Sequence, residues 1–582
     1  MNESSDHIFS DARPNPVVSG APLIRAMCEE IGLREIVDRN VVWDRERCKL
    51  SPGERVTVLV VNMLTSQRPL YRVEESFEQS DCELLFGEGI EGEDLNDDCL
   101  GRGLDRLWEG EPGKIFSMIV ANALTRENVD RRFTHFDTTS RTVFGEYKED
   151  PKTEEKTQEV PDGQESPKKR KPVQPKHGHS KDHRPDLKQI LFKLFVNREG
   201  IPLFGEVRDG NLSDKTANSE MISELCRLFS PEELKKMVYV ADSALVTGKN
   251  LMAMREREIA FLSRLPETFC ASATAKEKAF ATDQWVEIGR ISERSQSALY
   301  RASEQEEKIE GHPYRLVVYH SSQLDRRKEK SFQTELTKEQ ERIVKAASLL
   351  GSQSFSCEAD AKREAEALLR QFKDAFHHVT ASVLPREREI PRPTPGRPKK
   401  GEEPPTETVY VVSARPGERK LEKVKAERQR RATFTLITTL AKEEVSAAEL
   451  LREYKEQSTC ERRFSFLKDP AFIDGVFLKN RERVEALGYV MLLACLVFSL
   501  LERRIRKAGK PLTSAVRGRL KNPTGQEILK HLAGVQVVVT GSKTRKILVP
   551  PSKQTAFREI LSMAGIGFEA YTRVPEPACR SG

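Results

Sequence analysis

The run Val238-Tyr239-Val240-Ala241-Asp242-Ser243 decides the fold when it is set beside Thr134-His135-Phe136-Asp137-Thr138-Thr139. Each is a short apolar stretch that delivers an Asp at its end. Short runs rich in β-branched and aromatic residues, bounded by polar ones, read as strands. Phe133–Asp137 therefore predicts a first strand. Ile190–Val196 and Ile201–Val207 flank Asn197-Arg198-Glu199-Gly200, a hairpin signal. A helix near Ala217–Phe229 follows, then the strand Met237–Ala241, a helix near Gly248–Glu258 and the strand Ile259–Leu265.

Strand, hairpin, helix, strand, helix, strand is the chain order of an RNase H-like sheet. In that sheet the first and fourth strands are neighbours, so Asp137 is expected beside Asp242. The pattern then stops. Strand-like pieces at Gln284–Ile288 and Tyr314–His320, charged helices near Thr337–Leu350 and Ala359–Phe376, and the Pro-rich Arg386–Pro405 come next. This is too much patterned sequence for a loop and predicts an inserted subdomain. Thr433–Thr439 returns to strand character. Ser446-Ala447-Ala448-Glu449 is a capping box, and the helix it opens is expected to run toward Pro470, carrying Glu461.

The expected fold class is thus α/β: an RNase H-like catalytic domain with a large insertion between the second Asp and the Glu, plus a helical N-terminal domain. The divisions are a disordered tail over 1–20, a helical domain over 21–125, the RNase H-like domain in two parts over 130–265 and 432–510, the insertion over 266–431, and a C-terminal segment over 511–582. Within the N-terminal domain, Ser51-Pro52-Gly53-Glu54 caps a helix over Arg55–Leu64, and Pro69-Leu70-Tyr71 leads to another. Two short helices around a tight connection suit a helix-turn-helix or a plain α-helical packing module equally.

Composition narrows the class. A chain of 582 residues exceeds one core and predicts several domains. Its 96 basic and 90 acidic residues leave a net charge of only +6, so nucleic-acid binding must rest on local patches. The ten cysteines form no Cys-x-x-Cys pair, which argues against zinc fingers and a disulfide framework and for a reducing cytoplasm. The first residues carry no apolar signal-peptide core. Ala486–Leu501, flanked by Arg481, Arg483, Arg503 and Arg504, is slightly short for a bilayer span and reads as a buried core helix, with no membrane partner.

Two Asp residues at strand ends and a Glu on a helix are the carboxylate set that two-metal phosphoryl transfer requires. Hard oxygen ligands suit Mg²⁺, and two ions can hold the attacking and leaving oxygens of a phosphodiester. Tyr454, Gln457, Glu461 and Lys468 stand at offsets that share one face of a continuous helix.

The string Tyr454-x-x-Gln457-x-x-x-Glu461-x-x-x-x-x-x-Lys468 resembles the Tyr-Arg-Glu-Lys signature of bacterial insertion-sequence transposases with a DDE triad. A β-strand-rich insertion precedes the Glu in that group. Gly178–Asp186, Gly210-Asn211-Leu212-Ser213-Asp214 and, nearer the N-terminus, Leu50–Gly53, Pro69–Tyr71 and Leu104–Leu107 resemble runs of one branch. The resemblance implies cutting and joining of transposon-end DNA by Asp137, Asp242 and Glu461, which would be both catalytic and metal-binding. It implies two Mg²⁺ ions, with Mn²⁺ able to substitute, double-stranded DNA with terminal inverted repeats and target DNA as partners, and a homodimer on DNA. Tyr454 and Lys468 would hold phosphates. The family's Arg is Gln457 here, a contact without charge. Two other classes compete: a catalytically inactive DNA-binding descendant, and another RNase H-like nuclease.

Three further signals are weaker. His177, His179 and His183 match no standard zinc spacing. Arg397, in Pro395-Gly396-Arg397-Pro398, has the core of an AT-hook and is a candidate minor-groove contact. Trp285 is a candidate for stacking on a base, with core packing as the alternative.

Overall fold

The computed structural model describes residues 16–147, 170–179, 184–291, 297–324, 326–390, 405–468, 478–514, 518–540, 543–576 and 578. It divides into two units, one of Met1–Pro266 with Thr438–Gly582 and the other of Glu267–Ile437. Arg397, His183 and residues 1–15 of the expected tail lie outside the described residues.

The first unit begins with helices α1 (Ala21–Glu30), α2 (Leu33–Asn40), α3 (Pro52–Leu64), α4 (Val73–Phe77), α5 (Cys82–Phe86), α6 (Asp97–Glu109) and α7 (Pro112–Glu127). The capping box at α3 is formed: Glu54 N–H donates to Ser51 Oγ at 3.1 Å and Ser51 N–H donates to Glu54 Oε2 at 2.7 Å. Every residue of α3 is buried, and α4 has only five residues. α3 is thus a core helix, and of the pair only α4 presents residues to solvent, Glu75 among them.

The sheet of this unit contains β1 (Phe133–Thr142), β2 (Gln189–Asn197) and β3 (Pro202–Asp209). Then follow α8 (Asp214–Leu228), α9 (Pro231–Leu234), β4 (Val238–Ala241), α10 (Gly248–Glu256) and β5 (Ala260–Arg264). Spatial order is β3-β2-β1-β4-β5. β1 pairs antiparallel with β2 and parallel with β4, and β4 pairs parallel with β5. This is the RNase H-like arrangement. β1 is longer than its apolar run suggests. It continues through Thr138–Thr142 against β2, so Asp137 is mid-strand on that side. Threonines favour the pleated backbone, and the loss of hydrophobicity hid the continuation.

The second unit holds α11 (Cys270–Thr282), β6 (Val286–Arg290), β7 (Leu299–Ile309), β8 (His312–Ser321), α12 (Arg326–Gly351), β9 (Ser354–Phe355), α13 (Glu358–Gln371), β10 (His377–Glu389), β11 (Thr406–Arg419), α14 (Leu421–Arg431) and β12 (Thr433–Thr438). β6, β7 and β8 form an antiparallel meander, and β10 and β11 a long antiparallel ribbon. Phe332 and Leu336 of α12 pack with Val424 and Phe376.

The chain then returns to the first unit with α15 (Ala447–Lys455), α16 (Ser458–Lys468) and α17 (Arg481–Lys507). The single helix expected from Ser446 toward Pro470 is two helices, broken at Glu456-Gln457. α17 contains the apolar run; by length and composition it is apolar enough to cross a membrane, but it is buried inside the protein. The C-terminal part carries β13 (Leu512–Ser514), β14 (Gly518–Leu520), α18 (Gly525–Leu532), β15 (Gln536–Val539), β16 (Arg545–Leu548) and α19 (Gln554–Ala564). It docks on the N-terminal helices. Arg545 makes a buried bidentate pair with Asp81 at 2.6 and 3.0 Å, and Val18 N–H donates to Val535 O at 3.0 Å. Residues 16–20, expected in the tail, are therefore held by backbone pairing.

Candidate active site

The β1–β4 register pairs Phe133 with Val238, Thr134 with Tyr239 and His135 with Val240. Asp137 and Asp242 each follow the last of these pairs by two residues. They stand at one level on neighbouring strands, which run about 4.8 Å apart. Side chains alternate along a strand, so both fall on the face of His135 and Val240. Phe136 and Tyr239 point the other way, with ring centroids 5.9 Å apart, and Tyr239 donates its hydroxyl to Asn218 of α8 at 2.9 Å.

α16 packs on β1 and β2. Its attachment to β1 is specific. Gln457, at the break before α16, donates from Nε2 to Phe136 O at 2.9 Å, and Cys460 Sγ donates to His135 O at 3.4 Å. Arg141 of β1 donates to Lys468 O at the far end of the helix at 2.5 Å. Buried Arg463 donates to Gly200 O at 2.9 Å and to Glu502 of α17 at 2.8 Å. Gly200 has φ +80, and a Cβ there would stand 2.7 Å from Arg463 Nε. The hairpin turn thus needs glycine both for its conformation and for the approach of α16. Arg198 of the same turn pairs with Glu453 of α15 at 2.9 Å.

Glu461 is exposed next to Cys460, while Asp137 and Asp242 are half-buried. Their charges are felt by the same neighbours. Burial pushes the Tyr454 phenol up to about 12; Arg264 opposes this, and Asp242 and Glu461 add to it. The Cys460 thiol is raised first by burial, then by Asp137 and Glu461 among others. Asp137 and Asp242 both raise Tyr239, after its burial. Carboxylate charge therefore accumulates beneath and beside α16. His135, two residues before Asp137, is held down to about 4 by burial and is neutral.

Three carboxylates are hard donors suited to Mg²⁺ or Mn²⁺, and the concentrated negative charge fits a divalent cation. Among the described residues, no three His, Cys, Asp or Glu side chains form a ready-made cage for one ion. The fit therefore lies in the donor chemistry of the three residues and not in a preformed metal group among the described residues.

The other predicted residues are placed as follows. Tyr454 is half-buried on α15, and Lys468 is half-buried at the end of α16. Gln457 spends its amide N–H on backbone. Trp285 is half-buried in the second unit, under Arg301 at 4.5 Å and edge-on to Phe280 and His320. His177 and His179 join no metal-holding group among the described residues. Sequence reading missed Arg264, Arg141 and Arg463. Only Arg463 left a trace, as a cation bounded by Cys460, Phe464 and Phe466 on a helix with no other reason to bury charge.

Comparison with known proteins bears on this site. Residues 18–121 match a family described as a domain of unknown function, DUF4277. No curated protein matches the chain. Among solved structures, one described as a cryo-EM structure of the piggyBac transposase synaptic complex with hairpin DNA is 8% identical, with a TM-score of 0.37, covering 90% of this chain and 82% of that one. Residues 156–497, more than half of the chain, match the family described as the transposase DDE domain; the match includes Asp242 and Glu461 and begins after Asp137. The chain belongs to the DDE transposase domain family.

Proposed function

We propose that this protein cuts and joins transposon-end DNA by metal-dependent phosphoryl transfer, with Asp137, Asp242 and Glu461 as its catalytic carboxylates. One observation carries the reading: Asp137 and Asp242 stand at one level and on one face of the β1–β4 pair, under the helix that bears Glu461.

The three carboxylates would hold two Mg²⁺ ions, or Mn²⁺ in their place. Bound there, the ions supply charge neutralisation at the attacking and leaving oxygens of a phosphodiester. The rest is done by the chain. Gln457 and Cys460 fix α16 to β1, so that the position of Glu461 is set relative to Asp137. Lys468 and Tyr454 hold phosphates beside the cleaved bond. Water displaces one strand at the transposon end, and the freed 3′ hydroxyl attacks a second phosphodiester. No protein nucleophile is needed, so Tyr454, whose phenol stays protonated, does not attack. The working form on DNA is a homodimer joining terminal inverted repeats to a target, in the cytoplasm.

Nicking of a duplex that carries the element's own ends, in Mg²⁺, tests this. The wild-type protein is expected to nick and then join. Asp137→Asn, Asp242→Asn and Glu461→Gln are each expected to abolish both steps while DNA binding persists. Binding without nicking by the wild-type protein would identify an inactive descendant. Nicking without joining would identify a different RNase H-like nuclease.

A further inference from the structure

Helix α12 in the second unit divides its charges by direction. Phe332, Leu336, Glu339, Ile343, Ala347 and Leu350 are buried on one face. One of its acidic residues, Glu339, serves the unit's interior, and two more, Glu329 and Glu335, pair with arginines of α14. Glu339 accepts from His377 Nδ1 at 2.9 Å and from the Phe376 N–H at 2.8 Å. Glu335 pairs with Arg431 at 2.8 Å, and Glu329 pairs with Arg428 at 2.8 Å.

The opposite face carries Lys330, Lys338, Arg342 and Lys345, all exposed. Among the described residues none of these four has an ion-pair partner. At 100° per residue they fall within an arc of about 120°, opposite the buried face. From Lys330 to Lys345 they extend about 22 Å along the axis. Glu341 is the single acid inside that arc, and Ser331 and Thr334 add hydroxyl donors to it.

The unit's other charged helices differ. On α13, Lys362 pairs with Glu358 and Arg363 with Asp360; on α14, Arg430 and Arg431 both pair with Glu427. An exposed helix usually interleaves opposite charges at i, i+3 and i+4. α12 turns three of its four acids to its flanks and interior and leaves outward a stripe of four cations with one acid, Glu341. Such a stripe repels itself and is suited to a linear polyanion.

We propose that the outer face of α12 binds the phosphate backbone of double-stranded DNA. The 22 Å stripe matches about six base-pair steps of 3.4 Å along one strand. Lysine and arginine there contact phosphates and carry no base readout, so the binding is independent of sequence. The proposal takes duplex DNA as the polyanion from the function proposed above, but it does not require that the carboxylates cut.

The test uses the full chain with Lys330, Lys338, Arg342 and Lys345 changed to Gln together. Affinity for a short duplex of arbitrary sequence is measured across a range of KCl. Each lost phosphate contact lowers the log–log salt slope by about 0.9, so a decrease of up to about 3.6 is expected, with weaker binding at low salt. The exposed positions leave the thermal transition unchanged, and that measurement confirms an intact fold. A second quadruple variant, with Lys362, Arg363, Arg430 and Arg431 changed to Gln, removes the same formal charge from paired positions and is expected to change the slope much less. Equal slopes for wild type and the α12 variant would overturn the proposal. So would a loss of affinity for single-stranded RNA larger than that for duplex DNA. The binding readout stands even where no nicking is seen, so failure here and failure of the catalytic reading are distinguishable.

Discussion

Helices α16 and α12 treat their cations in opposite ways. On α16, Arg463 is buried and spends its guanidinium on Gly200 O and Glu502, and the helix's last carbonyl is taken by Arg141. On α12, Glu329, Glu335 and Glu339 face the flanks and interior, and four cations face outward without ion-pair partners among the described residues. The difference suits the task proposed for each helix. A helix that must hold one carboxylate against two others has to be immobile, and buried ionic contacts give it a single seat. A helix that meets a repeating polyanion gains from cations that can move with the phosphates.

Arg463→Ala is the strongest way to break this comparison. It leaves buried Glu502 with the Arg506 guanidinium and the Gly525 N–H as its remaining partners among the described residues, and is expected to lower stability by about 3–5 kcal/mol. The matching change on α12, Lys338→Ala, is expected to stay within about 0.5 kcal/mol, as for ordinary exposed positions. Chemical unfolding of the two variants reads both. Similar losses would show that the two helices are not differently held.

Gln457→Ala sharpens the account of α16. Removing the bond to Phe136 O is expected to cost about 1 kcal/mol of stability. If Gln457 acts by positioning Glu461 through this bond, cleavage should fall while affinity for end DNA holds. A fall in affinity with unchanged turnover at saturating DNA would return Gln457 to the DNA-contact role that its place in the signature suggested.

Lys468→Ala is expected to have the smallest effect: little change in stability, somewhat slower cleavage, and a salt slope of end binding lower by about one counterion. Lys468→Arg should retain most activity. An unchanged slope and rate in the Ala variant would reduce Lys468 to a solvating residue at the helix end.

What the sequence revealed and what it hid divide along physical lines. The strands under the site were legible because apolar runs ended in Asp137 and Asp242, and the hairpin because Asn197–Gly200 interrupts two such runs. The apolar stretch in α17 was legible as core because arginines crowd both of its ends. The break between α15 and α16 was not, since Glu456-Gln457 contains no Gly or Pro. It goes with a tertiary bond from Gln457 to a strand more than three hundred residues earlier. Strand β7, Leu-Tyr-Arg-Ala-Ser-Glu-Gln-Glu-Glu-Lys-Ile, is too charged to show a strand pattern. β10 and β11 each carry a proline, Pro385 and Pro416, which argues against strand in a sequence read alone; β10 is an edge strand, and Pro416 lies beyond Tyr410-Val411, where β11 pairs with β9. The outward charge of α12 is invisible in a nearly balanced composition. It appears only when Glu329, Glu335 and Glu339 are traced to their partners.

The central claim is that Asp137, Asp242 and Glu461 are metal ligands and not merely structural acids. The most direct measurement is cleavage of end DNA by Asp137→Cys, Asp242→Cys and Glu461→Cys, each assayed in Mg²⁺ and in Mn²⁺. A thiolate is a poor ligand for Mg²⁺ and a better one for the softer Mn²⁺. No cleavage in Mg²⁺ and partial recovery in Mn²⁺ are expected for at least one of the three variants, with DNA binding unchanged throughout. Near-normal cleavage in Mg²⁺ by any of them would contradict its assignment as a ligand.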